Sequence, residues 1–488
     1  MLPKAISLRQ LLQVALGVSY AGEDAPVTSV VQDHRRVTPG ALFVARQGAS
    51  FDAHAVLDQV IAQGAVAVVG QRHDTTLAIP YITVANDRVA LAKLAVAFYD
   101  NPASKLVTFG VTGTDGKTTT AFMLHHLLQS VQKTGLLSTA GIKLGAEELS
   151  LEGHFTTPEA PEIQRLLAQF VANGAQAAVL ETSSHGFSQH RLDGIDYQAG
   201  ILTNLTPEHL DFHKTLEAYI DAKCTLMRRS AISIINRDDA HFADFAKAAR
   251  RVISYGRNPE SDWRILDWQQ HGGVQHYEVQ HGADRHAITL PMIGEYNAYN
   301  ALAALIAAHT QGHPLPQLLS ALATFPGVPG RMQVIQTAPF TVIVDFAHTP
   351  AALHKLLSAV RAGSAGRLIV VIGAAGERDP GKRQPLGEIA VRAADVAIFT
   401  EEDSRSEDIG VILAQMAEGA IAAGGEALMS YWCIPDRREA MALAFRLAEP
   451  GDTVILAGKG HERTLERRFE TLPWDEAGVA RSLLESMA

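Results

Sequence analysis

The sequence predicts an α/β protein of three domains, on three observations. The first is length: 488 residues, 47% of them hydrophobic, can bury more than one core, and roughly 150 residues per domain divides the chain into about three. The second is alternation, since short apolar runs separated by helical patterns mark strand–helix repeats and parallel sheets. The third is punctuation. DNPAS at 100–104 and FPGVPGR at 325–331 set the boundaries 1–103, 104–330 and 331–488, because proline removes a backbone donor and turns the preceding residue away from helix.

In the first stretch, MLPKAISLRQLLQVALGV is interrupted by Arg9, Gln10 and Gln13 and reads as an amphipathic helix rather than a signal peptide. ALFVAR, AVAVVG and YITVA follow as short strands. From 105 the pattern is that of a parallel sheet: LVTFGV, then a helix from about 118; AAVLET, then SSHG; AGILTNL, then a helix through 215–228; and AISIIN. FTVIVDFAHT, RLIVVIGAAG, ADVAIFTEE and DTVILAGKG form a third series after the second break. Each run ends in polar residues, and sheets of this kind gather their ligands beyond the carboxyl ends of the strands.

Composition narrows the partners. Lys and Arg number 42 against 52 Asp and Glu, a formal charge of −10, and no basic block stands out, so the chain has no electrostatic footprint for nucleic acid. Small molecules are the expected partners. The two cysteines, Cys224 and Cys433, lie far apart without metal-ligand spacing, which argues against a disulfide framework or a zinc site and fits a reducing cytoplasm. No run of about 18 uninterrupted apolar residues predicts a membrane span.

The stretch LVTFGVTGTDGKTTT at 106–120 carries the first chemistry. Gly113, Thr114, Asp115, Gly116, Lys117, Thr118 and Thr119 fall between a strand and a helix, where backbone N–H groups at the helix start can surround phosphate oxygens. Lysine brings a point charge to the β- and γ-phosphates, and the Thr118 hydroxyl can ligate Mg²⁺. A strict G-x-x-x-x-G-K-[ST] needs glycine at 111, where this chain has Val111. The loop alone leaves phosphotransfer, nucleotide switching and ligation open.

Nine motifs in order choose among them: GVTGTDGKTTT, ETSSHGFSQHR, TNLTPEHLDFH, YIDAKCTL, GEYNAYNALAA, GRMQVI, DFAHTPAAL, GERDPGKR and AGKGHE. The set resembles the Mur ligases of peptidoglycan synthesis over nearly the whole chain, and within them the enzymes that add the third amino acid. The resemblance implies an N-terminal domain for the UDP-sugar substrate, a central phosphate-loop ATPase domain and a C-terminal Rossmann-like domain for the amino acid, in a monomeric cytoplasmic enzyme. It implies that ATP phosphorylates the terminal carboxylate of UDP-MurNAc-L-Ala-D-Glu, and that an amine displaces phosphate from the acyl phosphate. One anion then attacks another, so the site must neutralise charge and align reactants rather than supply a strong base.

The residues follow from the same resemblance. Lys117, Glu181, His209 and Lys223 are the expected catalytic set. Thr118, Glu181, His209 and a Lys223 carbamate formed from CO₂ are the expected Mg²⁺ ligands; alone, Glu181 reads equally as a strand-end carboxylate in a salt bridge, and Lys223 as a solvated helical side chain. Asn297 and Asn300, at i and i+3 on one helix, with Arg331 and Asp345, are expected at ATP, and His348 in a structural role. His34, Ser50, Thr156, Thr157, Ser183, Gln189 and Arg191 are expected at the UDP-MurNAc-dipeptide, although Phe155 precedes the threonines and Asp33-His34-Arg35 stands where relatives often carry Asp-Ser-Arg. Arg378, Glu402, Asp403, Ser404, Arg405, Gly458 and Glu462 are expected at the amino acid. Diaminopimelate enzymes typically carry Asp-Asn-Pro-Arg where this chain has Glu402 to Arg405. Arg405 could pair with a distal carboxylate, and Glu402 and Asp403 could equally receive the ammonium of lysine or ornithine. The rival readings are another Mur ligase, a folylpolyglutamate synthetase-like ligase, a phosphotransferase and a noncatalytic nucleotide switch. The last two need neither the lysine motif nor a third domain ending in AGKGHE.

Overall fold

A computed structural model describes residues 5–48, 51–72, 76–149, 157–271 and 273–487. It forms two compact units: Met1–Trp268 with Tyr277–Ile288 and Ala298–Thr324, and Phe325–Ala488 with Gln269–His276 and Thr289–Asn297. The expected α/β class holds in both. The apolar runs become strands, among them Ala41–Ala45, Val107–Thr112, Ala177–Glu181, Leu368–Ala374 and Val396–Glu401. Nearly every residue in these five is buried, as strands of parallel sheets covered by helices on both faces must be.

The first unit opens with a four-stranded parallel sheet, Ser29–Val31, Ala41–Ala45, Ala67–Gly70 and Tyr81–Thr83 in chain order. The amphipathic N-terminal pattern forms the helix Leu8–Leu16, and Leu8, Leu11 and Leu12 enter a core with Val30, Leu42, Val69 and Leu94. The helix Asp87–Phe98 starts where the Asn86 side chain accepts hydrogen bonds from the Arg88 and Val89 N–H groups, at 3.0 and 3.2 Å, a cap that satisfies two orphan donors.

The large sheet has eleven strands. Its parallel centre runs Thr134–Ser138, Ala177–Glu181, Val107–Thr112, Tyr197–Leu202, Ser230–Asn236, Val252–Gly256. Because successive strands lie on opposite sides of Val107–Thr112, the sheet reverses its order there, at the usual place for a ligand crevice. Gly141–Leu144 and Glu147–Leu149 add an antiparallel edge, and Trp263–His271, Val274–His281 and Asp284–Leu290 extend the other side. These outer strands have no counterpart among the apolar runs of the sequence. Their exposed face carries Gln, His and Glu, as in the alternating burial of WRILDWQQH, which interrupts the apolar signal at every second residue.

The second unit carries a six-stranded sheet in the order Gln333–Gln336, Thr341–Asp345, Thr453–Ala457, Leu368–Ala374, Val396–Glu401, Tyr431–Cys433, parallel except for the first strand. Separate apolar cores cover its faces, one around Leu353, Ile372, Phe399 and Met416, the other around Val371, Ile398, Phe445 and Leu456. Among the described residues, no helix is long and apolar enough to cross a membrane.

Candidate active site

The phosphate loop is shaped by glycines at both ends. Gly113 has φ +152° and Gly116 φ +81°, and a Cβ on Gly113 would come within 1.9 Å of the Thr203 hydroxyl. Only glycine fits there. A second loop, after Tyr197–Leu202, braces the first: the Thr203 hydroxyl donates to the Asp115 carbonyl (2.6 Å), the Asn204 carbonyl accepts from the Thr114 N–H (2.9 Å), and the Asn204 side-chain oxygen accepts from the Asp115 N–H (3.0 Å). The helix Lys117–Gln129 then begins with Gly116 as its cap, so its N-terminal partial positive charge stands at the loop.

Three expected residues converge on this loop. Lys117 folds back so that Nζ donates to the Gly113 and Thr114 carbonyls, at 3.2 and 2.9 Å. The Thr118 hydroxyl donates to the Glu181 carboxylate at 3.0 Å. Glu181, buried at the end of its strand, also accepts from the Ser138 hydroxyl (2.6 Å) and the Thr139 N–H (3.0 Å).

Lys223 departs most from what its helix suggests. Thr215 caps the helix Leu216–Arg228, and Lys223 lies on its inner face, 2% exposed. Nζ donates to the Gly113 carbonyl at 2.6 Å and stands 4.7 Å from the centre of the Tyr219 ring. Burial, and next the charge of Lys117, pull its pKa well below the usual lysine value, because each favours the neutral amine.

His209 lies half-exposed with its imidazole 3.5 Å from Glu208 and its ring centre 6.3 Å from that of Tyr219. It belongs to an aromatic cluster the sequence did not reveal, with His185 at 4.8 Å between ring centres, and with Phe212 and His213 each packed against His185. Burial, then His209 and His213, lower the His185 pKa to about 4. Among the described residues, no three His, Cys, Asp or Glu side chains are grouped to hold a metal ion. The expected set, Thr118, Glu181, His209 and a Lys223 carbamate, is of another kind, mostly hard oxygen donors of the sort that suit Mg²⁺; Thr118 meets Glu181, while the contacts of His209 are with Glu208, His185 and Tyr219.

Four of the seven residues expected at the UDP-sugar peptide, Thr157, Ser183, Gln189 and Arg191, also assemble. The Thr157 and Ser183 hydroxyls are 2.9 Å apart. Arg191 donates to the Thr157 carbonyl at 2.9 Å and to the Gln189 side-chain oxygen at 2.7 Å. Ser50 and Thr156 lie outside the described residues. His34 sits in the turn His34–Arg36 with its ring 5.6 Å from that of Phe51.

Two arginines that the motifs did not single out join Arg191. The Glu159 carboxylate is held between Arg46 (3.0 Å) and Arg191 (2.8 Å). The third, Arg88, is near enough that Arg46, Glu159 and Arg191 all act on its charge, and burial lowers its pKa ahead of any of them. One buried N–H-bearing nitrogen on each of the three, Arg46 Nε, Arg88 Nη1 and Arg191 Nε, has no partner among the described residues. Three guanidiniums against one carboxylate leave donors for a further anion. Arg46 lies in ALFVARQG and Arg88 in NDRVALA, and neither stretch shows that they meet.

The remaining ATP candidates are placed one by one. Asn300 lies against the phosphate loop, since a Cβ on Gly116 would come within 2.5 Å of its side-chain oxygen. The Asn297 amide donates to the Ile293 carbonyl at 2.8 Å. Arg331 stacks at 4.5 Å on Phe346. Asp345 accepts from the Met332 and Ala347 N–H groups at 2.7 and 2.8 Å, and His348 donates to the Phe346 carbonyl at 2.9 Å.

In the second unit the amino-acid candidates all lie beyond the carboxyl ends of adjacent strands. Arg378 follows Leu368–Ala374 and is exposed; Glu402 to Arg405 follow Val396–Glu401; Gly458 and Glu462 follow Thr453–Ala457. Lys459, fully buried, bridges Asp403 and Glu462 at 2.8 Å each, and Gly376 packs its backbone against Ser404. Arg405 is already paired: Nε donates to Glu466 at 2.9 Å and Nη1 to the Gly376 carbonyl at 2.7 Å.

Comparison with known proteins bears on this arrangement. Residues 111–308 match the Mur ligase middle domain, and residues 330–460 the Mur ligase glutamate ligase domain. The chain is 48% identical to a UDP-N-acetylmuramyl-tripeptide synthetase of Deinococcus radiodurans, covering 94% of this chain and 95% of that one. It is 41% identical to a protein of the same name from Roseiflexus sp., over 94% and 95%. A solved structure of a UDP-N-acetylmuramoyl-L-alanyl-D-glutamate–2,6-diaminopimelate ligase superposes with a TM-score of 0.69, covering 99% of each chain at 29% identity.

Proposed function

The chain belongs to the Mur ligase family, and from that membership we propose how its residues divide the work. It is an ATP-dependent ligase that adds a diamino acid, meso-diaminopimelate or L-lysine, to UDP-N-acetylmuramoyl-L-alanyl-D-glutamate in peptidoglycan synthesis. Residues 1–103 take the UDP end of the substrate, 104–330 take ATP, and 331–488 take the amino acid. The enzyme acts as a monomer in the cytoplasm, where both nucleotides are found.

The observation that carries the reading is the convergence of Lys117, Thr118, Glu181 and Lys223 on one phosphate loop. The γ-phosphate receives the attack of the substrate carboxylate, so negative charge grows at the loop. Lys117 Nζ, now on the Gly113 and Thr114 carbonyls, turns to the phosphates when ATP displaces that contact, and the helix N-terminus adds its partial charge. Glu181 and the Thr118 hydroxyl would supply oxygen donors for Mg²⁺, with His209 as a further ligand, and the ion, when bound, would offset the negative charge of phosphates and carboxylate.

Lys223 fits conversion to a carbamate. CO₂ reacts only with an unprotonated amine: the N–C bond forms, nitrogen loses a proton, and a cation becomes an anion. A lysine with its pKa lowered by burial and by Lys117 offers that free amine more readily than an exposed lysine does. The product carries two oxygens toward the loop where Nζ now touches Gly113. Thr157, Ser183, Gln189 and Arg191, with Arg46 and Arg88, hold the anionic substrate, and Arg378 takes the α-carboxylate of the incoming amino acid. Amide formation then breaks the acyl–phosphate bond and releases phosphate.

The test is phosphate release from ATP with the UDP-MurNAc-dipeptide and a panel of amino acids. Release should require both acceptors, with one phosphate per peptide bond. Steady hydrolysis with neither, or a phosphorylated acceptor as end product, would exclude the ligase.

A further inference from the structure

In the loop after Val396–Glu401, the buried Glu402 carboxylate has no ion-pair partner among the described residues. Asp403 is spent on Lys459, at 2.8 Å, and on the Glu466 N–H, at 2.9 Å. Glu462 shares the same lysine. Glu402, only 6% exposed, makes no hydrogen bond or ion pair among the described residues, and its Oε2 is a buried acceptor without a partner. Space is kept open over it: a Cβ on Gly458 would come within 3.2 Å of that oxygen, and Gly458 holds φ +101°, which disfavours any side chain. Burial pushes the Glu402 carboxyl up, opposed by Lys382, Lys459 and Arg437, but each of these is engaged elsewhere. Lys382 reaches the His348 carbonyl, Lys459 its two carboxylates, and Arg437 Glu476.

Arg405 stands in the opposite condition. Beside its contacts to Glu466 and Gly376, its own N–H donates to the Glu466 carbonyl at 3.0 Å, and its backbone is held at φ +49°, so backbone and side chain are fastened to one glutamate. The charge that a second carboxylate on the substrate would need is already neutralised, and Lys459 gathers two further acids, Asp403 and Glu462, near Glu402. A buried unpaired carboxylate is costly until a cation reaches it, while a substrate carboxylate placed among these acids would be repelled.

We infer that Glu402 receives the side-chain ammonium of the incoming amino acid and that the Glu466–Arg405 pair excludes a distal carboxylate, so that the third residue is an α,ω-diamino acid of the lysine or ornithine type rather than meso-diaminopimelate. The inference rests on the ligase reading above and narrows its amino-acid substrate.

The experiment compares L-ornithine, L-lysine and meso-diaminopimelate with the full chain, ATP and the UDP-MurNAc-dipeptide, reading kcat and KM from phosphate release. The wild type should use L-ornithine or L-lysine at least about 100-fold better in kcat/KM than meso-diaminopimelate. Glu402→Gln should lose about 100-fold on the preferred amino acid, mainly through KM, with KM for ATP unchanged. Glu466→Gln, which unfastens Arg405, should raise the use of meso-diaminopimelate relative to L-lysine about 10-fold or more. Should Glu402→Gln lower Tm, Glu402→Asp, which keeps the charge but withdraws it by one methylene, should still raise KM for the amino acid alone. A wild type that prefers meso-diaminopimelate, or Glu402 variants with unaltered KM, would overturn the inference and leave the ligase intact. No phosphate release with any amino acid would instead overturn the ligase.

Discussion

The Lys223 amine and the Lys117 ammonium share one carbonyl oxygen, that of Gly113, and the two lysines should answer substitution differently. Lys117→Ala removes a charge needed mainly while the γ-phosphate transfers, so kcat should fall on the order of 1000-fold with Tm little changed. An unchanged kcat would reduce the loop to a strand-to-helix turn. Lys223→Ala should be nearly inactive for another reason, the loss of the anion that the proposed carbamate would supply, and a small carboxylic acid filling the vacancy should restore part of the rate. Full activity of the alanine variant would refute the carbamate. The motif YIDAKCTL marks Lys223 only through its resemblance to relatives; its burial is a tertiary fact, since Leu216–Arg228 shows polar residues on several sides.

At the scale of the element, the helix after the phosphate loop is enclosed almost throughout, from Thr118 to Leu128. His125 is buried on it, with Nε2 donating to the Thr134 carbonyl at 3.2 Å, and burial, then Lys143, lowers its pKa to about 4. The unfolded chain therefore binds a proton at about pH 6.5 that the folded chain refuses until about pH 4, so stability rises with pH across that window and is lost as pH falls through it. The loss should reach on the order of 3 kcal/mol at His125. Tm measured from pH 7 to pH 4 should drop, and less steeply in His125→Gln; parallel slopes would show that this histidine does not drive the change. The strand–helix alternation around it was readable in the sequence for four of the six strands of the parallel centre, through the runs LVTFGV, AAVLET, AGILTNL and AISIIN; Thr134–Ser138 and Val252–Gly256 were not read, since serine, threonine and glycine break their short apolar stretches. The outer strands were not, because alternation on a half-exposed face resembles a polar loop when the partner strand is unknown.

Across the whole molecule, the three proposed stretches should have separable substrates. Arg88→Ala, in the first, should raise KM for the UDP-MurNAc-dipeptide about 10- to 100-fold, the loss of one hydrogen bond from a charged donor, with KM for ATP and for the amino acid unaltered. UDP as a competing ligand then identifies what Arg88 reads: weaker inhibition by UDP in the variant points to the diphosphate, unchanged inhibition to the dipeptide carboxylates. Equal rises in all three KM values would show that the three arginines support the fold rather than the substrate.

The sequence by itself determined the parallel α/β class, the strand ends at which ligands gather, the phosphate loop and the order of nine motifs, because these depend on local periodicity and on short spans that fold as units. It also named Glu402 and Arg405 while leaving their roles open. Only the tertiary structure decided that Arg405 is bound to Glu466, 61 residues further on, that Glu402 keeps a buried oxygen without a partner among the described residues, and that Arg46, Arg88 and Arg191 meet around Glu159. Charge pairing depends on distance in space and on burial. A row of residues specifies neither until each sheet has set its own strand ends side by side.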